Sequence, residues 1–95
     1  MRRLKVTRWD IADYLDTDER IRGFLGEIIK EDDPALLAAA LGDVARAKGM
    51  TNIANETGLG RESLYKSLSK TGNPSFATVQ KVLSALGLKF SVVPR

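Results

Sequence analysis

The sequence predicts an all-α chain, a bundle of five to six helices closed by a short C-terminal β-strand. Three observations carry this. Apolar residues recur at helical spacing over most of residues 7–86. Every expected helix break is filled by Gly, Pro or a capping residue, and the period shortens to two only after Gly87. Ninety-five residues suit a single domain, 1–95, with one core and little room for a second.

The first six residues carry Arg2, Arg3 and Lys5 without a helix signal, so a short extended or mobile arm is expected there. Residues 7–48 hold three predicted helices. Thr7-Arg-Trp-Asp10 has capping-box spacing, with Asp in place of Glu, and opens a short helix burying Trp9, Ala12 and Leu15. From Asp18 to about Lys30 the residues Ile21, Phe24, Leu25, Ile28 and Ile29 form one apolar stripe. Asp33-Pro34 supplies an N-cap and a first-turn proline for a third helix. Its stripe is Leu36, Leu37, Ala40, Leu41, Val44 and Ala45, and it stops at Gly49.

A fourth helix is expected from an N-cap at Thr51 to Gly58, and a fifth from Gly60 to about Ser69, halted by Thr71-Gly-Asn-Pro74. Ser75 caps a sixth over 76–86, with Phe76, Val79, Val82, Leu83 and Leu86 facing inward. In 88–93, Leu88, Phe90 and Val92 alternate with Lys89, Ser91 and Val93, the two-residue repeat of a strand. With no second strand candidate, the same strand of a second copy is the expected partner, which makes Leu88, Phe90 and Val92 the dimerisation residues. The alternative is an irregular tail packed over the core.

Composition removes whole classes of chemistry. No cysteine means no disulfide or thiolate site, and no histidine removes the commonest neutral-pH proton shuttle. Neither a nucleophile–base–orienter set nor a paired-carboxylate motif stands out, so the chain is not expected to be an enzyme, and no cofactor or metal is expected. The absence of a long apolar run and of a signal-peptide pattern leads to a cytoplasmic protein with no membrane role. The net charge of +3 is unevenly spread. Residues 1–45 carry seven Lys/Arg and ten Asp/Glu, a net −3; residues 46–95 carry eight and two, a net +6.

Residues 50–69 meet the spacing constraints of a helix-turn-helix. Ala54 is small where the helices cross, Gly58 suits a left-handed turn, and Ile53, Leu59, Leu64 and Leu68 face the core. If the second helix enters a major groove by its N-terminal end, Arg61, Glu62, Tyr65 and Lys66 read bases and bind alongside them. Arg61 can fork onto guanine, Glu62 can accept from cytosine or simply favour a helix N-terminus, Tyr65 can touch a thymine methyl, and Lys66 anchors a phosphate. Phosphates are expected at Thr51 and Asn52, which open the first helix of the pair, and at Ser69, Lys70, Thr71 and Asn73, which follow the second. Lys48 either joins that side or serves its own helix dipole. The partner is then double-stranded DNA with an inverted repeat, bound by a homodimer whose reading helices lie roughly 34 Å apart.

At this point the chain resembles a known family. The stretch from about Gly49 to Leu88 is similar to lambda-repressor-like (Xre-type) domains. Trp-Asp-Ile-Ala-Asp-Tyr-Leu in 9–15, Gly-Met-Thr-Asn-Ile-Ala in 49–54, Gly-Leu-Gly-Arg-Glu-Ser-Leu-Tyr-Lys in 58–66 and Gly-Asn-Pro-Ser-Phe in 72–76 resemble the HigA-like addiction-module antidotes. Gly60 and Ser67 depart from that pattern, which often has a serine cap and an apolar residue or alanine there. The resemblance implies a type II antitoxin that neutralises a RelE/HigB-like toxin and, as a dimer, represses its own operon. The acidic residues Asp10, Asp13, Asp16, Asp18 and Glu19 offer a surface for a basic toxin. Two other readings remain open at the level of sequence: a free-standing repressor without a toxin, and a helical protein-interaction module.

Overall fold

The computed structural model describes residues 10–95, so the N-terminal arm, the Thr7 capping box and Trp9 lie outside it. The described residues form α1 (Ile11–Tyr14), α2 (Asp18–Ile29), α3 (Pro34–Lys48), α4 (Met50–Thr57), α5 (Arg61–Ser67) and α6 (Phe76–Ala85). Local chemistry sets most of the starts. Asp10 caps α1, Thr17 caps α2, Asp33 caps α3 ahead of Pro34, and Ser75 caps α6, each accepting from a backbone N–H inside the first turn.

α3 is the central helix. It packs against α1, α2, α4 and α5, and it contributes Ala38, Ala40, Leu41, Val44 and Ala45 to the core. Leu15, Leu41, Val44, Leu64 and Val82 are fully enclosed, so every helix is tied by at least one apolar contact to the same cluster. Burying a side chain of that size stabilises by about 1.5–3 kcal/mol. Two helices approach at glycine: a Cβ at Gly42 would fall on the carbonyl group of Leu68, the C-cap of α5.

The predicted boundaries need four corrections. α4 begins at Met50 and is capped by Gly49 without a side-chain bond, leaving Thr51 inside the first turn. Met50 is 4 % exposed, and seating it in the core starts the helix before Thr51 can cap it. α5 is shorter than expected, because Leu68 already serves as its C-cap. Ile29 and Phe76, expected inside, stand 58 % and 68 % exposed at the end of α2 and the start of α6, where each helix has run past the core.

The fourth correction is the C-terminal strand: no described residue lies in one. Gly87 takes a left-handed conformation (φ 77°), and its N–H donates to Ser84 O while that of Leu88 donates to Leu83 O at 2.8 Å. That is a Schellman closure of α6, and it spends the first predicted strand residue on a helix end. A single chain then offers the remainder no ladder to join. The tail crosses a mainly apolar groove lined by Leu25, Leu37, Leu41, Leu83, Leu88 and Phe90. The Phe90 ring stacks on Phe76 at 5.1 Å, and Arg95 pairs with Asp32.

Candidate nucleic-acid interface

Met50–Ser67 folds as two short helices joined by Gly58, Leu59 and Gly60. Gly58 holds the turn at φ 73°, ψ 13°, and its N–H donates to Ala54 O at 2.9 Å, closing α4. The Thr57 hydroxyl donates to Ile53 O at 2.8 Å and accepts from Leu59 N–H, so the turn is bonded on both sides. Ile53 and Ala54 face inward from α4, and Leu64 and Leu68 anchor α5, with Leu64 only 1 % exposed.

Fixing Leu64 inward turns the other side of α5 outward. Arg61, Glu62, Tyr65 and Lys66 are all exposed, and the Arg61 guanidinium sits over the Tyr65 ring at 5.2 Å. This cation–π contact holds two of the four expected base-reading side chains together at the start of the helix. The phosphate candidates divide into two groups. Thr51 and Asn52 are exposed in the first turn of α4. After α5, Lys70, Thr71 and Asn73 are exposed, while Ser69 is half-buried and donates to Lys66 O at 2.9 Å. Gly72 lets the chain turn back across the end of α5, where a Cβ would meet the Ser67 carbonyl. Leu88 is half-buried in the groove, Phe90 is stacked, and Val92 is 96 % exposed, so the expected dimerisation residues do not share one environment.

Arg46 is the residue that sequence reasoning missed. It forks onto Asp10 with N–O distances of 3.2 and 3.3 Å and also donates to Asp43 at 2.9 Å, tying the start of α1 to α3. It lines a groove of about 240 Å³ that also includes Tyr65, Ser69 and Lys70. The Asp43–Arg46 spacing was visible on a helix; the link to Asp10, thirty-six positions away, was not. Hydrogen bonding to Arg46 holds the Asp10 carboxyl below its usual range, and Lys48 does the same to Asp18 through a 2.8 Å bond. Lys48 is therefore committed to the start of α2. In the acidic cluster, Asp10, Asp16 and Asp18 all pair with cations of this chain, whereas Asp13 and Glu19 form no ion pair among the described residues.

These features define a small all-helical protein that presents a polar helix pair, with no described helix long and apolar enough to cross a membrane. Residues 5–94 match the model of a family described as "Probable addiction module antidote protein", and the chain belongs to that family. A protein of Haemophilus influenzae, described as uncharacterized, is 52 % identical over 84 residues, covering 88 % of this chain and 87 % of the relative. No solved structure matches. An antidote is one half of an addiction module, so the family implies a cognate toxin as partner.

Proposed function

We propose that this antidote is a sequence-specific DNA-binding repressor of its own operon. In this reading α4 and α5 act as a lambda-repressor-like helix-turn-helix, and the chain neutralises a RelE/HigB-like toxin as a HigA-type antitoxin. The observation that carries the DNA reading is the sidedness of α5: Leu64 is sealed in the core while Arg61, Glu62, Tyr65 and Lys66 share the exposed side. A helix so anchored can enter a major groove by its N-terminal end, with the first turn of α4 and the residues after α5 meeting phosphates. A homodimer paired through Leu88, Phe90 and Val92 then sets two reading helices on an inverted repeat. The cytoplasm is the compartment where that DNA lies.

The test is a gel-shift titration against DNA from immediately upstream of the gene, with scrambled competitor, at two salt concentrations. The parent is expected to hold its site against competitor and to weaken steeply with salt. Arg61→Ala is expected to cost about 1–3 kcal/mol, roughly five-fold to 150-fold, and to relax specificity. Lys66→Gln should weaken all sequences alike and lower the salt slope by about 1. An Arg61→Ala protein that binds the site as tightly and selectively as the parent overturns the base-reading assignment.

A further inference from the structure

We propose that the cognate toxin docks on the outer side of α2, in a groove where Tyr14, Phe24 and the open side of Gly23 meet a carboxylate rim. This rests on the toxin partner that the family implies and is independent of the DNA reading. The groove holds about 740 Å³, and its lining includes Tyr14, Glu19, Arg20, Gly23, Phe24 and Glu27. It exists because α2 is tied to the body along one side. Ile21 and Leu25 are its buried residues, and α3 is the helix it packs on. Glu19, Gly23 and Glu27 recur every four residues on the side away from that pair, and all three are exposed.

Two features make this side a contact surface rather than a solvated one. A Cβ built on Gly23 meets nothing within 4 Å, so no packing in the fold calls for glycine there. Glycine is costly in a helix interior, and here it leaves a flat floor on which another chain can lie close. Tyr14 is 44 % exposed yet held in place: the Arg20 guanidinium lies over its ring at 4.8 Å and is itself bonded to Asp16 at 3.0 Å. Tyrosine and arginine are enriched at protein interfaces, and a pair already ordered loses little side-chain freedom on binding.

Charge selects the occupant. Residues 10–33, which carry α1 and α2, hold nine carboxylates and three cations, a net −6; residues 34–95 hold eight Lys/Arg and three Asp/Glu, a net +5. At the groove, Arg20 is engaged by Asp16 and Glu27 by Lys30, whereas Glu19 forms no ion pair among the described residues. Nucleic acid is repelled from such a face. A second copy paired about a two-fold axis is repelled too, because that would set α2 against α2. The partner that fits is a protein whose contact face offers lysine or arginine beside apolar side chains, and the protein partner implied for an antidote is its toxin.

The experiment uses the full chain and, as probe, the purified protein encoded by the reading frame adjoining its gene. Biolayer interferometry measures on- and off-rates at two salt concentrations, with thermal melts and sedimentation velocity alongside. Gly23→Trp fills the groove where the fold leaves space, and is expected to weaken binding by about 30-fold or more while melting like the parent. Glu19→Lys is expected to slow association several-fold at low salt and much less at high salt. Parent-like affinity of Gly23→Trp overturns the proposal while leaving antidote and toxin paired. If Gly23→Trp melts early, the decision passes to Glu19→Lys, whose salt-dependent on-rate no folding defect reproduces, and a parent-like on-rate there overturns the proposal. A Gly23→Trp chain that sediments in a different oligomeric state from the parent assigns the face to self-association and overturns it as well. A parent that does not bind the probe removes the pairing and the proposal together.

Discussion

Gly42 and Gly23 both lie in helix interiors, yet replacing each with alanine should move stability in opposite directions. At Gly42 the new Cβ would lie 3.2 Å from the Leu68 carbonyl carbon and 3.4 Å from its Cβ, with the carbonyl oxygen closer still. That oxygen belongs to backbone at the end of α5, so no side chain can swing aside. Overpacking of this kind costs about 2–3 kcal/mol, offset by about 1 kcal/mol of helix propensity, leaving a net loss of about 1–2 kcal/mol. At Gly23 nothing lies within 4 Å, so the propensity gain of about 0.4–1 kcal/mol is kept. In a domain this small each kcal/mol shifts the midpoint by about 4–8 °C, so the two variants should melt roughly 10–20 °C apart. Thermal melts followed by circular dichroism, checked by urea unfolding, measure the difference. A Gly42→Ala protein that melts at or above Gly23→Ala would refute the close approach of α3 to α5.

Three further outcomes follow from the same contacts. Leu64→Ala should cost about 2–5 kcal/mol in urea unfolding, because Leu64 is fully enclosed and is the buried residue within α5. Asp10 and Asp18 have carboxyls held below the ordinary range by Arg46 and Lys48, so their pairs add stability above the unfolded carboxylate pKa and lose it as pH falls through the folded one. Melts should therefore drop below about pH 4, and Asp10→Asn, which keeps the N-cap, should drop less than the parent. If the proposed homodimer pairs through the tail, the full chain should sediment as a dimer and a chain lacking residues 88–95 as a monomer; a dimer that persists without them removes the tail from the interface.

Helix order was legible because capping residues, Pro and Gly punctuate an otherwise periodic pattern, and the helices of the described residues stand near where that pattern put them, with shifted ends at α4 and α5. The errors come from contacts that a linear pattern does not contain. Ile29 and Phe76 continue their stripes in sequence but overrun the core in space. Thr51 is a good cap by residue type and was overruled by the burial of its neighbour Met50. Leu88 alternates like a strand residue, yet Gly87 beside it makes it the last bond of a helix. Within the site, Arg61, Glu62, Tyr65 and Lys66 were legible because helical spacing fixes them on the side away from Leu64. Arg46 was not, since its role depends on Asp10 being brought to it by the fold.

The charge asymmetry between the two halves of the sequence acquires a different meaning once the chain is folded. Three cations of the basic half, Arg46, Lys48 and Arg95, are bound to Asp10, Asp18 and Asp32 of the acidic half. Much of the asymmetry is thus spent on cross-links that fasten α1, α2 and the tail around α3, each exposed and individually weak. A ligand that is itself a polyanion therefore cannot be recognised by the halves as such. Among the described residues around α5, the cross-links leave Arg61, Lys66 and Lys70 exposed and outside these pairs. In the proposed DNA reading Arg61 reads bases while Lys66 and Lys70 hold phosphates, so substitution of Arg61 should change sequence preference and substitution of Lys66 or Lys70 the salt dependence.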